Sequence, residues 1–127
     1  KKTCDNHDKN YYEKFKAWAD EYFFIKHRNE TRGDGGIFFD DINTGNWEKD
    51  FGFIKDIGET FLNSYSEIVK ATMNTSWSDE DREEQLIKRG RYAEFNLIYD
   101  RGTLFGLKTG GNIDAILMSL PPEVKWK

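Results

Sequence analysis

The feature that most limits how this chain can fold is the stretch from Gly90 to Pro121, where three apolar runs are separated by two short glycine-bearing turns. In RYAEFNLIYD, residues 91–100, the side chains Ala93, Phe95, Leu97 and Tyr99 share one face of an extended backbone. Tyr92, Glu94, Asn96, Ile98 and Asp100 share the other. DRGT then suits a tight turn, LFGLKT returns antiparallel, TGGN turns again, and IDAILMSL closes a third run at Pro121-Pro122. The expectation is a three-stranded antiparallel meander. Both of its faces are apolar or aromatic apart from Glu94 and Asn96, so it should be covered on both sides.

Upstream, helical spacing takes over. Tyr11, Phe15, Trp18 and Tyr22 recur at intervals of four, three and four within residues 8–23, which predicts a helix with Asp8 as its N-cap. A polar run from His27 to Asp34 leads through Gly35-Gly36 into Ile37-Phe38-Phe39, expected as a short buried strand. Residues 47–72 predict a second helix whose inner face carries Phe51, Ile54, Gly58, Phe61, Tyr65 and Ile68. Ser78 opens a third, SDEDREEQLIKR, with acids early, Lys88-Arg89 late and Gly90 as the stop.

Composition narrows the partners. A chain of 127 residues has room for one small domain, and 10 Phe, 6 Tyr and 4 Trp supply a core although a third of the residues are charged. A net charge of −4 argues against duplex DNA or an anionic membrane as the main partner. Cys4 is the single cysteine, which points to a reducing, cytoplasmic compartment. No apolar run approaches the roughly 20 residues of a membrane-spanning helix.

Few chemistries fit the side chains available. His7 and His27 are the only histidines, and no Cys or His stands at ligand spacing. His27 reads either as part of a solvated loop or as one ligand of a site completed elsewhere. The glycine turns match neither a Walker nor a dinucleotide-binding pattern. What stands out is arginine with an isolated carboxylate: Arg28, Arg32, Arg89, Arg91 and Arg101 fall at loop and strand ends around Asp100. Guanidinium forks grip carboxylates in pairs of hydrogen bonds and stay charged at physiological pH. Asp100 reads either as one half of an Asp-Arg pair closing a hairpin or as an acceptor for a ligand bearing several N–H groups.

Two segments carry a family resemblance. FFIKHRNETRGDGGIFFDD and KRGRYAEFNLIYDRGTLFGLKTGGNIDAILMSLPP, in that order, resemble motifs of the oxygen-dependent coproporphyrinogen III oxidase family. The resemblance spans nearly all of residues 1–127 but only the C-terminal part of the family's single domain. It implies an α+β fold, a large antiparallel β-sheet flanked by α-helices on both faces, working as a homodimer. It implies oxidative decarboxylation of two propionates of coproporphyrinogen III to vinyls, giving protoporphyrinogen IX, with dioxygen as co-substrate and no organic cofactor. On this resemblance Asp100 would hold the pyrrole N–H groups and help remove a proton, and Arg101 would anchor a propionate. Arg28, Arg32, Arg89 and Arg91 match basic positions of the motifs. Gly110, Gly111 and Asn112 occupy the substrate-contacting turn, with Asn112 where the family usually carries Arg. His27 matches a histidine tied to dimer formation and, in bacterial members, to a divalent metal, and Tyr92 to Lys127 matches the dimerisation region. The family's proton-donor histidine lies upstream of Lys1, so the chain alone is expected to be inactive. A non-catalytic module, holding an anionic tetrapyrrole or serving dimerisation, is the alternative.

Overall fold

The computed structural model describes residues 1–33 and 35–126. Asp34, the end of the polar run, and Lys127, the end of the expected dimerisation span, lie outside the described residues. The chain divides into two compact units, Lys1–Ala19 with Gly35–Ser76, and Asp20–Asp34 with Trp77–Lys127. Its elements are α1 (Lys2–His7), α2 (Tyr11–Tyr22), β1 (Phe24–Ile25), β2 (Glu30–Thr31), α3 (Trp47–Thr72), α4 (Asp79–Ile98), α5 (Arg101–Lys108) and α6 (Ile113–Leu117).

In the first unit the aromatic spacing of α2 does what its period predicts. Phe15 is buried with Cys4 and Phe53, and Tyr11, Tyr12, Ile37, Phe39, Ile42 and Ile57 pack around them. The rings meet at offset angles, Phe15 to Phe39 at 5.1 Å and Phe39 to Phe53 at 5.3 Å between centroids, the separation aromatic pairs favour. Asp8 ends α1 instead of capping a longer helix, and its carboxylate accepts the Asn10 N–H at 2.8 Å. The 37–39 segment is half-buried and, among the described residues, forms no strand. Its Phe38 N–H donates to the Phe15 carbonyl at 3.1 Å, so that donor is satisfied by a helix.

Helix α3 has the expected bounds, opened by Asn46, whose side chain accepts the Lys49 N–H at 3.0 Å. Its inward face differs from the expected one. Phe53 and Ile57 point to the core, whereas Phe51, Ile54, Phe61, Tyr65 and Ile68 are exposed, Phe61 at 66 %. Both stripes satisfy a 3.6-residue period, and packing against α1 selects the one that meets Cys4 and Phe15.

The second unit overturns the expected large antiparallel sheet. The fold is mostly helical, and among the described residues the only sheet is the antiparallel pair β1–β2, with Phe24 opposite Thr31 and Ile25 opposite Glu30. The three runs expected as a meander are the second half of α4, α5 and α6. Three physical reasons account for the change. Ser78 and Asp81 form a reciprocal capping box that starts α4, and extending a helix is far easier than nucleating a new element, so α4 runs through Gly90 to Ile98. The supposed turn residues are helix caps: Asp100 accepts the Thr103 N–H at 2.7 Å, and Asn112 accepts the Ala115 N–H at 3.2 Å. Asp and Asn favour both settings because the same short side chain bonds its own backbone in each. Finally, a helix satisfies its backbone within the segment, whereas each sheet edge needs another strand.

Gly90 is therefore no helix stop but a point of close approach. The Lys125 N–H donates to the Leu86 carbonyl at 3.1 Å, and a Cβ on Gly90 would stand 2.1 Å from the Lys125 carbonyl oxygen. Only glycine lets the C-terminal segment lie against α4 there.

Candidate functional site

The charged side chains of the second unit gather where the β1–β2 turn meets α4. A four-residue turn, 26–29, closed by Asn29 in the left-handed region (φ 55°), projects His27 and Arg28 towards the helix. Arg91, Glu94 and Asn96 of α4 are buried, Glu94 to 8 % exposure, although all three are polar. Buried polar groups are tolerated only when paired, and Glu94 finds partners on the turn, Arg91 on β2 and Asn96 just after it.

Glu94 is the hub. Arg28 grips it with both arms of its fork, Nε to Oε2 at 3.0 Å and Nη2 to Oε1 at 2.5 Å. The His27 Nε2 lies 2.8 Å from Oε2, and Arg91 Nη1 lies 3.8 Å from Oε1. These bonds to Arg28, reinforced by His27, hold the Glu94 carboxyl below the usual carboxylate range against the opposing effect of burial. The same pairing raises Arg28. Arg91 reaches Glu30 of β2 through a short ion pair.

Arg32 has a different setting. Its guanidinium lies over the rings of Phe23 at 4.1 Å, Tyr92 at 4.8 Å and Phe95 at 5.2 Å, and donates to Asn96 Oδ1 at 3.3 Å. Burial among these rings lowers its pKa, partly offset by Tyr92 and by the nearby Asp100 carboxylate. Asp100, half-buried, uses one oxygen to cap α5 and accepts the Tyr22 hydroxyl on the other at 3.3 Å. Arg101 is exposed and lies 5.0 Å over the Tyr22 ring, while exposed Arg89 lies 5.1 Å over Tyr92.

The structure thus brings Arg28, Arg91 and His27 into one network with Glu94 and Glu30, sets Arg32 and Arg89 over Tyr92, and sets Arg32, Asp100 and Arg101 around Phe95 and Tyr22. Gly110, Gly111 and Asn112 are exposed in the turn between α5 and α6, with Gly110 at φ 72°. Both ring nitrogens of His27 have partners, Nδ1 with the Tyr99 hydroxyl at 2.8 Å and Nε2 with Glu94. Among the described residues no three His, Cys, Asp or Glu side chains stand together. A cavity of about 750 Å³ in the first unit is lined by residues such as Ile42, Trp47, Asp50 and Phe51.

Sequence reasoning missed Glu94, Glu30, Tyr22, Tyr99 and Asn96. The signal was present: Glu94 and Asn96 were the polar exceptions in an otherwise apolar run. Read with a helical period, Arg91 and Glu94 are neighbours at i, i+3.

The coproporphyrinogen III oxidase family model matches residues 1–127. The chain is 60 % identical over 126 residues to the oxygen-dependent coproporphyrinogen-III oxidase of Rickettsia bellii (strain OSU 85-389), and equally to that of Rickettsia rickettsii (strain Sheila Smith). It is 59 % identical to that of Rickettsia akari (strain Hartford). Each match covers 99 % of this chain and 45 % of the relative, so the chain spans a little under half the length of the curated relatives it matches.

Proposed function

The chain belongs to the coproporphyrinogen III oxidase family, and we propose that the protein carrying it performs the oxygen-dependent oxidative decarboxylation of coproporphyrinogen III to protoporphyrinogen IX. The observation that carries this reading is identity of 60 % across 126 residues with relatives named for that activity. In each of two propionates the bond to the carboxyl carbon breaks, carbon dioxide leaves, and the bond's electrons form the vinyl double bond. The carbon next to the pyrrole loses a hydrogen with its electron pair. Dioxygen accepts that hydrogen and pair, takes up one proton and leaves as hydrogen peroxide, so the reaction calls for no organic cofactor.

The site chemistry suits such a substrate, a tetra-anion with four inward N–H groups. Asp100 supplies a carboxylate for those groups and for proton removal. Arg32, Arg89 and Arg101 supply guanidinium groups to meet propionates. Arg28 and Arg91 already pair with Glu94 and Glu30, and serve the site by holding the turn against α4. The exposed turn at Gly110, Gly111 and Asn112 contacts a further part of the substrate. The protein acts as a homodimer, with His27 and the span from Tyr92 onward at the subunit contact. A single buried thiol, Cys4, suits the cytoplasm. No helix of the described residues is long and apolar enough to cross a membrane.

Oxygen uptake by the full-length protein with coproporphyrinogen III tests the proposal. Asp100→Asn should abolish turnover while circular dichroism stays that of the parent. Near-normal turnover in that variant would remove Asp100 from the chemistry, and an inactive parent would refute the activity itself.

A further inference from the structure

Tyr22 is outside the set of residues the sequence put forward, yet it touches both groups assigned to the chemistry. It is the last residue of α2 and half-buried. Its hydroxyl donates to Asp100 Oδ1 at 3.3 Å, and its ring lies under the Arg101 guanidinium at 5.0 Å. The ring is itself held edge-on by Phe23 at 4.9 Å and by Phe95 at 5.8 Å. Phe95 is among the most deeply buried side chains of the chain.

An aspartate capping a helix needs only one oxygen for that task. Here Oδ2 takes the Thr103 N–H at 2.7 Å, which leaves the direction of Oδ1 to be set by something else. Tyr22 sets it. At 3.3 Å the bond is a long one, so its aim depends on the packing of the ring as well as on the hydroxyl. A tyrosine ring has few rotatable bonds, and clamped between two phenylalanines it is a stiff mount for both a carboxylate and a cation.

We infer that Tyr22 is a positioning residue of the oxidase site, its hydroxyl fixing Asp100 Oδ1 and its ring face fixing the Arg101 guanidinium. The inference rests on the roles proposed above for Asp100 and Arg101. It adds that one aromatic side chain touches both the acceptor for pyrrole N–H groups and the anchor for a propionate and helps to set their separation. Preorganised separation of this kind acts on turnover more than on ground-state affinity.

The test separates the two halves of Tyr22 in the full-length protein. Tyr22→Phe keeps the ring and should lower kcat about fivefold with KM within twofold. Tyr22→Leu removes the mount as well and should raise KM about tenfold in addition. A merely structural role would lower folding stability in both variants without this division between kcat and KM. An unchanged kcat in Tyr22→Phe would overturn the inference. Crystal structures of the ligand-free variants give a readout independent of turnover. In Tyr22→Phe the Asp100 carboxylate should rotate away from its present direction, and in Tyr22→Leu the Arg101 guanidinium should move as well. A carboxylate and a guanidinium that stay in place overturn the inference whether or not the parent is active. An inactive parent whose Asp100 and Arg101 do move refutes the proposed activity while upholding the positioning.

Discussion

At Glu94 a buried carboxylate meets one bidentate guanidinium, an imidazole and the edge of a second guanidinium. Removing its charge leaves half-buried Arg28 without its acid and destabilises the fold. Glu94→Gln should lower the urea midpoint accordingly, with Arg28→Gln in the same background adding little. The sign of the pH effect follows from the depressed Glu94 pKa. The stabilisation is complete above the unfolded carboxylate value of about 4.3 and is lost as pH falls through the lower folded value. Urea midpoints should therefore drop between pH 5 and pH 3, and Glu94→Gln should flatten that slope. A parent whose midpoint is level over this range would contradict the pairing. The arginine–carboxylate theme was legible in the sequence. Which acid each arginine meets was not, because the acids stand more than 60 positions away along the chain.

Among the elements, α4 is the one whose reading changed most. Its charged first half announced a helix through Ser78 and the early acids, and the capping box bears this out. Its second half alternates apolar and polar residues closely enough to look like a strand, yet Arg91, Glu94 and Phe95 share a helical face and are buried together. Ser78→Ala removes the cap and should cost about 1 kcal/mol in thermal or chemical unfolding. Gly90→Ala is the sharper probe. In an exposed helix interior this change stabilises by up to about 1 kcal/mol. Here the added Cβ would meet the Lys125 carbonyl, so the variant should be destabilised by about 1–3 kcal/mol. A stabilised Gly90→Ala would mean that the C-terminal segment does not lie against α4.

For the molecule as a whole, each unit buries a few apolar side chains, and many large ones stay exposed, most of all along α3. Phe53 is almost wholly buried with Cys4 and Phe15, whereas Phe61 on the same helix is exposed. Phe53→Ala should cost about 3–5 kcal/mol and Phe61→Ala less than about 0.5 kcal/mol in chemical denaturation. Equal losses would show that α3 turns its other face inward. On a sizing column the full-length protein should elute as a dimer, in keeping with the proposed assembly.

Two motifs in order carried the resemblance to the family, and spacing and caps by themselves bounded α3, started α4 at Ser78 and placed Phe15 in the core. Those properties depend on short-range periodicity, on caps that act within a turn, and on residue order, all of which are written locally. That residues 91–120 become helices follows from caps and backbone bonds within the segment, which its alternating apolar residues concealed. The face α3 turns inward and the pairing of Glu94 with Arg28 and His27 were tertiary decisions. Each depends on which distant side chains are brought alongside, and a helical period or an isolated arginine serves more than one outcome until they are in place.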